Sequence, residues 1–109
     1  MRVLYGASPA DIAAMDTDRL RAEFLVEDLF SPGKLVFVYT HVDRMILGGA
    51  VPLGPPLAFG DGKDVGTALF FAAREMGIAN LGGAGSVTID GVRYAVANRD
   101  IVYVGRGAR

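Results

Sequence analysis

The chain has 109 residues, 51% of them hydrophobic and 21% charged, with a mean hydropathy of +0.34. That length allows one domain and one core, and so apolar a balance excludes a disordered segment and predicts that part of the surface is covered by another copy or another domain. With 11 basic and 12 acidic residues and a net charge of −1 there is no electrostatic footprint for nucleic acid, and the absence of cysteine excludes disulfides and thiolate metal sites and fits a reducing, cytoplasmic setting.

The N-terminus, MRVLYG, lacks the sustained apolar core of a signal peptide. Ser8 is placed to cap a short helix, with Pro9 at its first position and Asp11 complementing the positive end of the dipole, through about Met15. The run Asp16-Thr17-Asp18 offers a second cap, and Leu20 with Phe24 at i, i+4 supports one more helical turn. Phe24-Leu25-Val26 and Leu29-Phe30 then predict a first strand, ended by Ser31-Pro32-Gly33.

Residues 34–39 form a compact apolar strand, and the polar stretch Thr40-His41-Val42-Asp43-Arg44 separates it from Met45-Ile46-Leu47. Gly48-Gly49 weakens a long strand there and predicts a bulge or a close backbone approach. The longest uncharged run, residues 45–60, is broken by Pro52, Pro55 and Pro56 and falls short of the ~20 apolar residues that span a bilayer, so no membrane segment is expected. Residues 52–63, rich in Gly and Pro, read as the one long loop. Beyond it residues 65–73 suit either period, with Thr67, Leu69 and Phe71 on one face of a strand, and a strand is the preferred assignment.

The C-terminal third has the clearest pattern. Ser86 to Ile89 runs into Asp90-Gly91, the dipeptide of a type I′ hairpin turn, and Val92, Tyr94 and Val96 alternate with Arg93, Ala95 and Ala97 on the returning strand. A second turn at Asn98-Arg99-Asp100 leads into the strand Ile101 to Val104. Six to eight short strands with turn signals between them, and no long amphipathic helix, predict an all-β sandwich or barrel behind a small helical preface.

Among polar residues, His41, Asp43 and Arg44 are the densest group flanked by strands and the only candidate site. Arg44 suits bidentate pairing with a carboxylate or a contact with a neighbouring subunit, and the plainer alternative is a solvated turn holding a local Asp-Arg pair. Glu75 reads most simply as a surface acid pairing with Arg74 or Arg93, and Tyr94 and Tyr103 as core or interface aromatics. Gly82-Gly83-Ala84-Gly85 lacks the Lys-Ser/Thr of a phosphate cradle and precedes a strand, so a tight β corner is expected.

The order strand, Gly-Gly, Gly, short strand, Asp-Gly turn, strand, Arg-Asp, strand, Gly-x-Gly resembles the centre of a cupin barrel, a double-stranded β-helix or jelly roll. More narrowly, residues 15–30 (MDTDRLRAEFLVEDLF), 39–49 (YTHVDRMILGG), 74–91 (REMGIANLGGAGSVTIDG) and 99–108 (RDIVYVGRGA) resemble the N-terminal half of the 5-keto-4-deoxyuronate isomerase family, also called 4-deoxy-L-threo-5-hexosulose-uronate ketol-isomerase. The resemblance implies an N-terminal arm over residues 1–22 with short helices and a cupin-like β domain over residues 23–109 that is incomplete, lacking its last strands. It implies aldose-ketose isomerisation of a deoxy-hexuronate from pectin breakdown, in an oligomeric double cupin whose zinc sits in the C-terminal cupin on three His and one Glu.

This chain has one His. Glu75, six further residues and Gly82 match the end of the first cupin motif, but its two imidazole positions fall on Ala68 and Phe70 or on Leu69 and Phe71, none able to ligate a metal. No metal or cofactor site is therefore expected in this chain. Two functions remain open: the non-catalytic N-terminal portion of a ketol-isomerase that works with a C-terminal cupin half, or a stand-alone, metal-free cupin-like module for assembly or sugar binding. Self-association is expected in either, because an unfinished barrel leaves strand edges unpaired.

Overall fold

In the computed structural model, which describes the backbone of all 109 residues and every side chain except that of Asp64, the helices begin where side-chain caps dictate. Helix α1 (Pro9–Ala13) is capped by Ser8, whose Oγ accepts from the Asp11 N–H at 3.2 Å and donates to the Asp11 carboxylate at 2.8 Å. Helix α2 (Thr17–Phe24) is capped by the Asp16 carboxylate, which accepts from the Arg19 N–H at 2.8 Å. Neither helix buries a residue, so both are connectors whose stability is local.

Those helices lie inside a crossover. Strand β1 (Arg2–Leu4) pairs in parallel with β2 (Leu35–Thr40), in the register Arg2 to Val38 and Leu4 to Thr40, and a parallel pair requires a connection long enough to return the chain to the same end. Strand β3 (Met45–Ala50) then pairs antiparallel with β2, from Leu35 opposite Ala50 to Thr40 opposite Met45, giving a three-stranded sheet ordered β1-β2-β3. Val38, at the centre of the middle strand, is 1% exposed.

One sequence expectation fails in this region and another is resolved. The strand expected from Phe24 to Phe30 does not form: Phe24 closes α2, and residues 25–31 are irregular, held by the Arg2 guanidinium, which donates to the Leu25 carbonyl at 3.2 Å and lies 3.8 Å from the Asp28 carboxylate. Glu27 and Asp28 break the apolar alternation there, and the partner that β2 needs is supplied by the N-terminus. At Gly48-Gly49, where a bulge or a close backbone approach was expected, the ladder runs without a bulge and the glycines permit the close approach. A Cβ on Gly48 would lie 2.7 Å from the Phe37 ring across the strand pair, and one on Gly49 would lie 2.8 Å from the Leu29 carbonyl carbon.

The chain forms two compact units, Met1–Ala58 and Phe59–Arg109. In the second, residues 65–73 do not form the expected strand. A 3₁₀ turn at Gly62–Val65, inside the stretch read as loop and strand, is followed by a turn in which the Thr67 hydroxyl donates to the Leu69 carbonyl at 2.7 Å. Phe70 and Phe71 are both buried and pack on Phe59 with ring centroids 5.1 to 5.3 Å apart. Adjacent strand residues face opposite ways, so a segment that buries two consecutive phenylalanines in one cluster has to turn.

Strand β4 (Met76–Ala79) pairs antiparallel with β7 (Ile101–Val104), and β5 (Gly85–Ile89) pairs with β6 (Val92–Val96) through the expected turn, with Asp90 and Gly91 at φ of 50° and 78°. Asn80 ties the two strand pairs together. Its Nδ2 donates to the carbonyls of Gly83, Val96 and Ala97 at 2.9 to 3.1 Å, and its Oδ1 accepts from the Gly82 N–H at 3.1 Å. Asn98 Nδ2 donates to the Gly82 carbonyl at 2.7 Å. Residues 82–85 are thus the tight β corner that was expected. The fold is all-β in class, in open sheets consistent with an incomplete cupin-like barrel.

Replacing Asn80 by Ala leaves three carbonyls and an N–H without their partner, and chemical denaturation is expected to show a loss of about 2–3 kcal/mol. Gly49→Ala forces the Leu29 backbone to move and should cost about 1–3 kcal/mol, whereas Gly48→Ala meets only the rotatable Phe37 ring and should cost less. Equal losses at the two glycines would show that the Leu29 contact does not constrain the sheet.

Candidate functional site

The β2–β3 hairpin places His41, Asp43 and Arg44 in one exposed four-residue turn, His41 to Arg44, between the paired residues Thr40 and Met45. The turn is tight enough that Asp43 and Arg44 take left-handed conformations, at φ of 54° and 52°. Asp tolerates that region through its short side chain, whereas Arg carries a steric cost there. Thr40 helps hold the turn, its Oγ1 accepting from the Val42 N–H at 3.1 Å.

His41 is held from two sides. The parallel pairing of Leu4 with Thr40 puts Tyr5 beside it, and the His41 N–H donates to the Leu4 carbonyl at 2.9 Å. The Tyr5 ring stacks on the imidazole with centroids 4.9 Å apart and planes 12° from parallel, while Tyr39 meets it edge-on at 5.1 Å and 69°. Tyr5 is itself 67% exposed. The sequence carried no signal for this trio, because Tyr5 and His41 are neighbours only through the parallel register. Among the described residues no ion pair joins Asp43 to Arg44, so the expected local pair is absent and the Arg44 guanidinium is available to an external acceptor. Beside the turn lies a cavity of about 250 Å³ lined by Leu4, Phe24, Val26, Met45 and Leu47, with Asp43 as its charged member. The turn therefore offers a stacked aromatic pair, a free cation and an adjoining apolar hollow.

In the second unit Glu75 has a different partner from those expected. The Tyr103 hydroxyl donates to its Oε2 at 2.6 Å. Tyr103 pairs across the ladder with Gly77, and Glu75 projects from the same face two residues earlier, so no intervening side chain separates them. Acceptance of that hydrogen bond by Glu75 is the first cause holding the Tyr103 phenol above its ordinary value, followed by desolvation and then by the carboxylate charge. Tyr103 is 67% exposed and Tyr94 47% exposed, so neither is a core residue of this chain.

The positions that a cupin metal site would use hold no donors. Ala68 and Leu69 are exposed aliphatics, Phe70 and Phe71 belong to the aromatic cluster, and among the described residues no group of three or more His, Cys, Asp or Glu side chains is gathered. These side chains do not fit a zinc ion.

No family model matches the chain. Curated relatives do: it is 48% identical to a 4-deoxy-L-threo-5-hexosulose-uronate ketol-isomerase of Halalkalibacterium halodurans over 96% of its own length and 38% of the relative's. The corresponding enzyme of Lachnoclostridium phytofermentans is 44% identical over the whole chain and 40% of the relative, and that of Escherichia coli is 41% identical over the same shares. The chain is a homologue of part of this ketol-isomerase family. It spans about 40% of the length of those ketol-isomerases and corresponds to an N-terminal portion of them. The likeness to the ketol-isomerases, legible in four separate blocks of sequence, extends over the intervening residues as well.

Because Tyr103 keeps its proton more firmly in the folded state, its contribution to stability is present below the ordinary tyrosine range and is lost as pH rises through the raised value. Ultraviolet titration should show Tyr103 ionising above the ordinary tyrosine range, and Glu75→Ala should lower it toward that range. A titration that Glu75→Ala leaves unchanged would remove the carboxylate as the cause.

Proposed function

We propose that this polypeptide is the N-terminal, non-catalytic portion of a 4-deoxy-L-threo-5-hexosulose-uronate ketol-isomerase, and that it supports a C-terminal cupin half which carries the zinc and the chemistry. The observation that carries this reading is the pairing of 41–48% identity along the whole chain with a single histidine in it. Ketol isomerisation needs a base to take the proton beside the carbonyl and a group to hold the enediolate oxygens. In this chain the exposed His41 is engaged by two tyrosine rings, and Ala68, Leu69, Phe70 and Phe71 stand where ligands would be needed. What these residues do is shape and cover.

The covering role extends to oligomer formation. Ile101 is 76% exposed, and Leu53, Leu81 and Phe30 are also large apolar residues open to solvent. A unit of this size does not present so much apolar surface without a partner to bury it. The two-stranded sheets β4-β7 and β5-β6 also have unpaired edges. The turn His41, Asp43 and Arg44 then acts as a subunit contact, in which Arg44 pairs with a carboxylate of a neighbouring subunit and the hollow beside Asp43 receives an apolar side chain. Among the described residues no helix is long and apolar enough to cross a membrane. The absence of cysteine supports work in the cytoplasm.

Expressed alone, the chain should show no isomerase activity and no stoichiometric zinc. Co-expressed with the remaining part of the Halalkalibacterium halodurans relative, it should raise turnover by at least about tenfold over that part alone, with zinc found only in the added part. Arg44→Ala should weaken subunit association by about tenfold in sedimentation, the worth of one charge-assisted hydrogen bond, without changing kcat per assembled subunit. Turnover by the 109-residue chain by itself would overturn the proposal, and full activity of the complementary part without it would favour a stand-alone module.

A further inference from the structure

The outer face of the β4–β7 pair carries a pattern that one chain leaves unused. Residues opposite each other in an antiparallel ladder share a face, so Gly77 with Tyr103 and Ala79 with Ile101 make up one side of this sheet. All four are exposed, Ile101 and Tyr103 at 76% and 67%. The face is therefore divided lengthwise into a row of small residues on β4 and a row of large ones on β7. A cross-strand aromatic ring can shield a strand glycine, but here it does not. The Tyr103 hydroxyl donates to Glu75 and its ring lies 3.8 Å from a Cβ built on Gly105, whereas a Cβ built on Gly77 meets nothing within 4 Å. An open channel is left along β4 beside an uncovered ridge on β7.

We propose that this face binds the same face of a second copy of the chain, ridge into channel, about a two-fold axis that runs along the strands. Sheets packed face to face interdigitate the side chains of their inner faces. The two-fold places β7 of each copy over β4 of the other, so that Ile101 sits on Ala79 and Tyr103 fills the space above Gly77. A closed two-fold dimer requires a self-complementary patch of this kind. Charge agrees with shape. The same rotation brings the Gly105-Arg106 turn of the second copy to Glu75, and the Arg106 guanidinium has no hydrogen bond or ion pair among the described residues. A standard interface engages about 20–30 residues a side, and this face offers far fewer, so the dimer is a weak one. The inference deepens the self-association proposed above and rests on it, on a surface separate from the His41–Arg44 turn.

Sedimentation equilibrium of the 109-residue chain should give a monomer–dimer equilibrium with a dissociation constant of about 10–1000 μM. Gly77→Val has room in the single chain and puts a strand-forming residue in place of glycine. It should therefore hold or raise the denaturation midpoint while weakening the dimer at least about tenfold. Ile101→Lys and Ala79→Glu should each weaken self-association at least about tenfold, with circular dichroism confirming that each variant is folded. An equimolar mixture of those two variants should associate more tightly than either alone, because only the mixed dimer opposes the two introduced charges. A mixture no tighter than its components would overturn the two-fold arrangement. Association weakened by Arg44→Ala but unchanged in Gly77→Val and Ile101→Lys would overturn this face and leave the self-association reading standing. A chain that is monomeric at about 1 mM would overturn both. A monomer whose binding to the complementary part of the Halalkalibacterium halodurans relative falls in Ile101→Lys would give the face to that part and overturn the dimer.

Discussion

A single carboxamide carries much of the second unit. Asn80 has two N–H protons, yet three carbonyls, those of Gly83, Val96 and Ala97, lie within 3.1 Å of its nitrogen, so one proton is shared between acceptors. Its oxygen takes the Gly82 N–H. Its backbone is equally engaged, with its N–H donating to Asp100 and its carbonyl accepting from Arg99. One residue at the end of β4 thus positions the corner that begins β5, the end of β6 and the turn into β7. Glycine-rich corners have little side chain with which to hold a shape, and here the shape is imposed by a neighbour.

The first unit uses a different constraint, close backbone packing. Gly49 is buried against the Leu29 backbone, and Gly48 sits beneath the Phe37 ring in the cross-strand pair. Removing two side chains from β3 costs that strand packing surface, and the adjacent segments refill the space, one with main chain and one with an aromatic ring. The result is a small sheet whose middle strand buries Val38 while the turn at its end remains in solvent. That arrangement is what leaves His41, Asp43 and Arg44 exposed at the end of a paired hairpin.

Both units leave large apolar side chains uncovered, and this agrees with a chain that spans about 40% of the length of its ketol-isomerase relatives. The segment Ala68 to Phe71, over which the cupin motif would place its imidazoles, is filled by apolar side chains. There Phe70 and Phe71 close an aromatic cluster with Phe59, so that segment contributes packing. Two arginines stand at turns, Arg44 after β2 and Arg106 after β7.

By itself the sequence determined everything set by near neighbours: the Ser8 and Asp16 caps, the Asp90-Gly91 turn, the β5, β6 and β7 strands, the glycine corner and the family likeness. Those features depend on a few consecutive residues whose backbone preferences agree with the fold. Only the tertiary structure decided that β1 exists, that residues 25–31 and 65–73 are not strands, and that Tyr5 meets His41 and Tyr103 meets Glu75. A three-residue strand has too few side chains to show a period. Its identity comes from a partner more than thirty residues away, and the same register decides which side chains become neighbours.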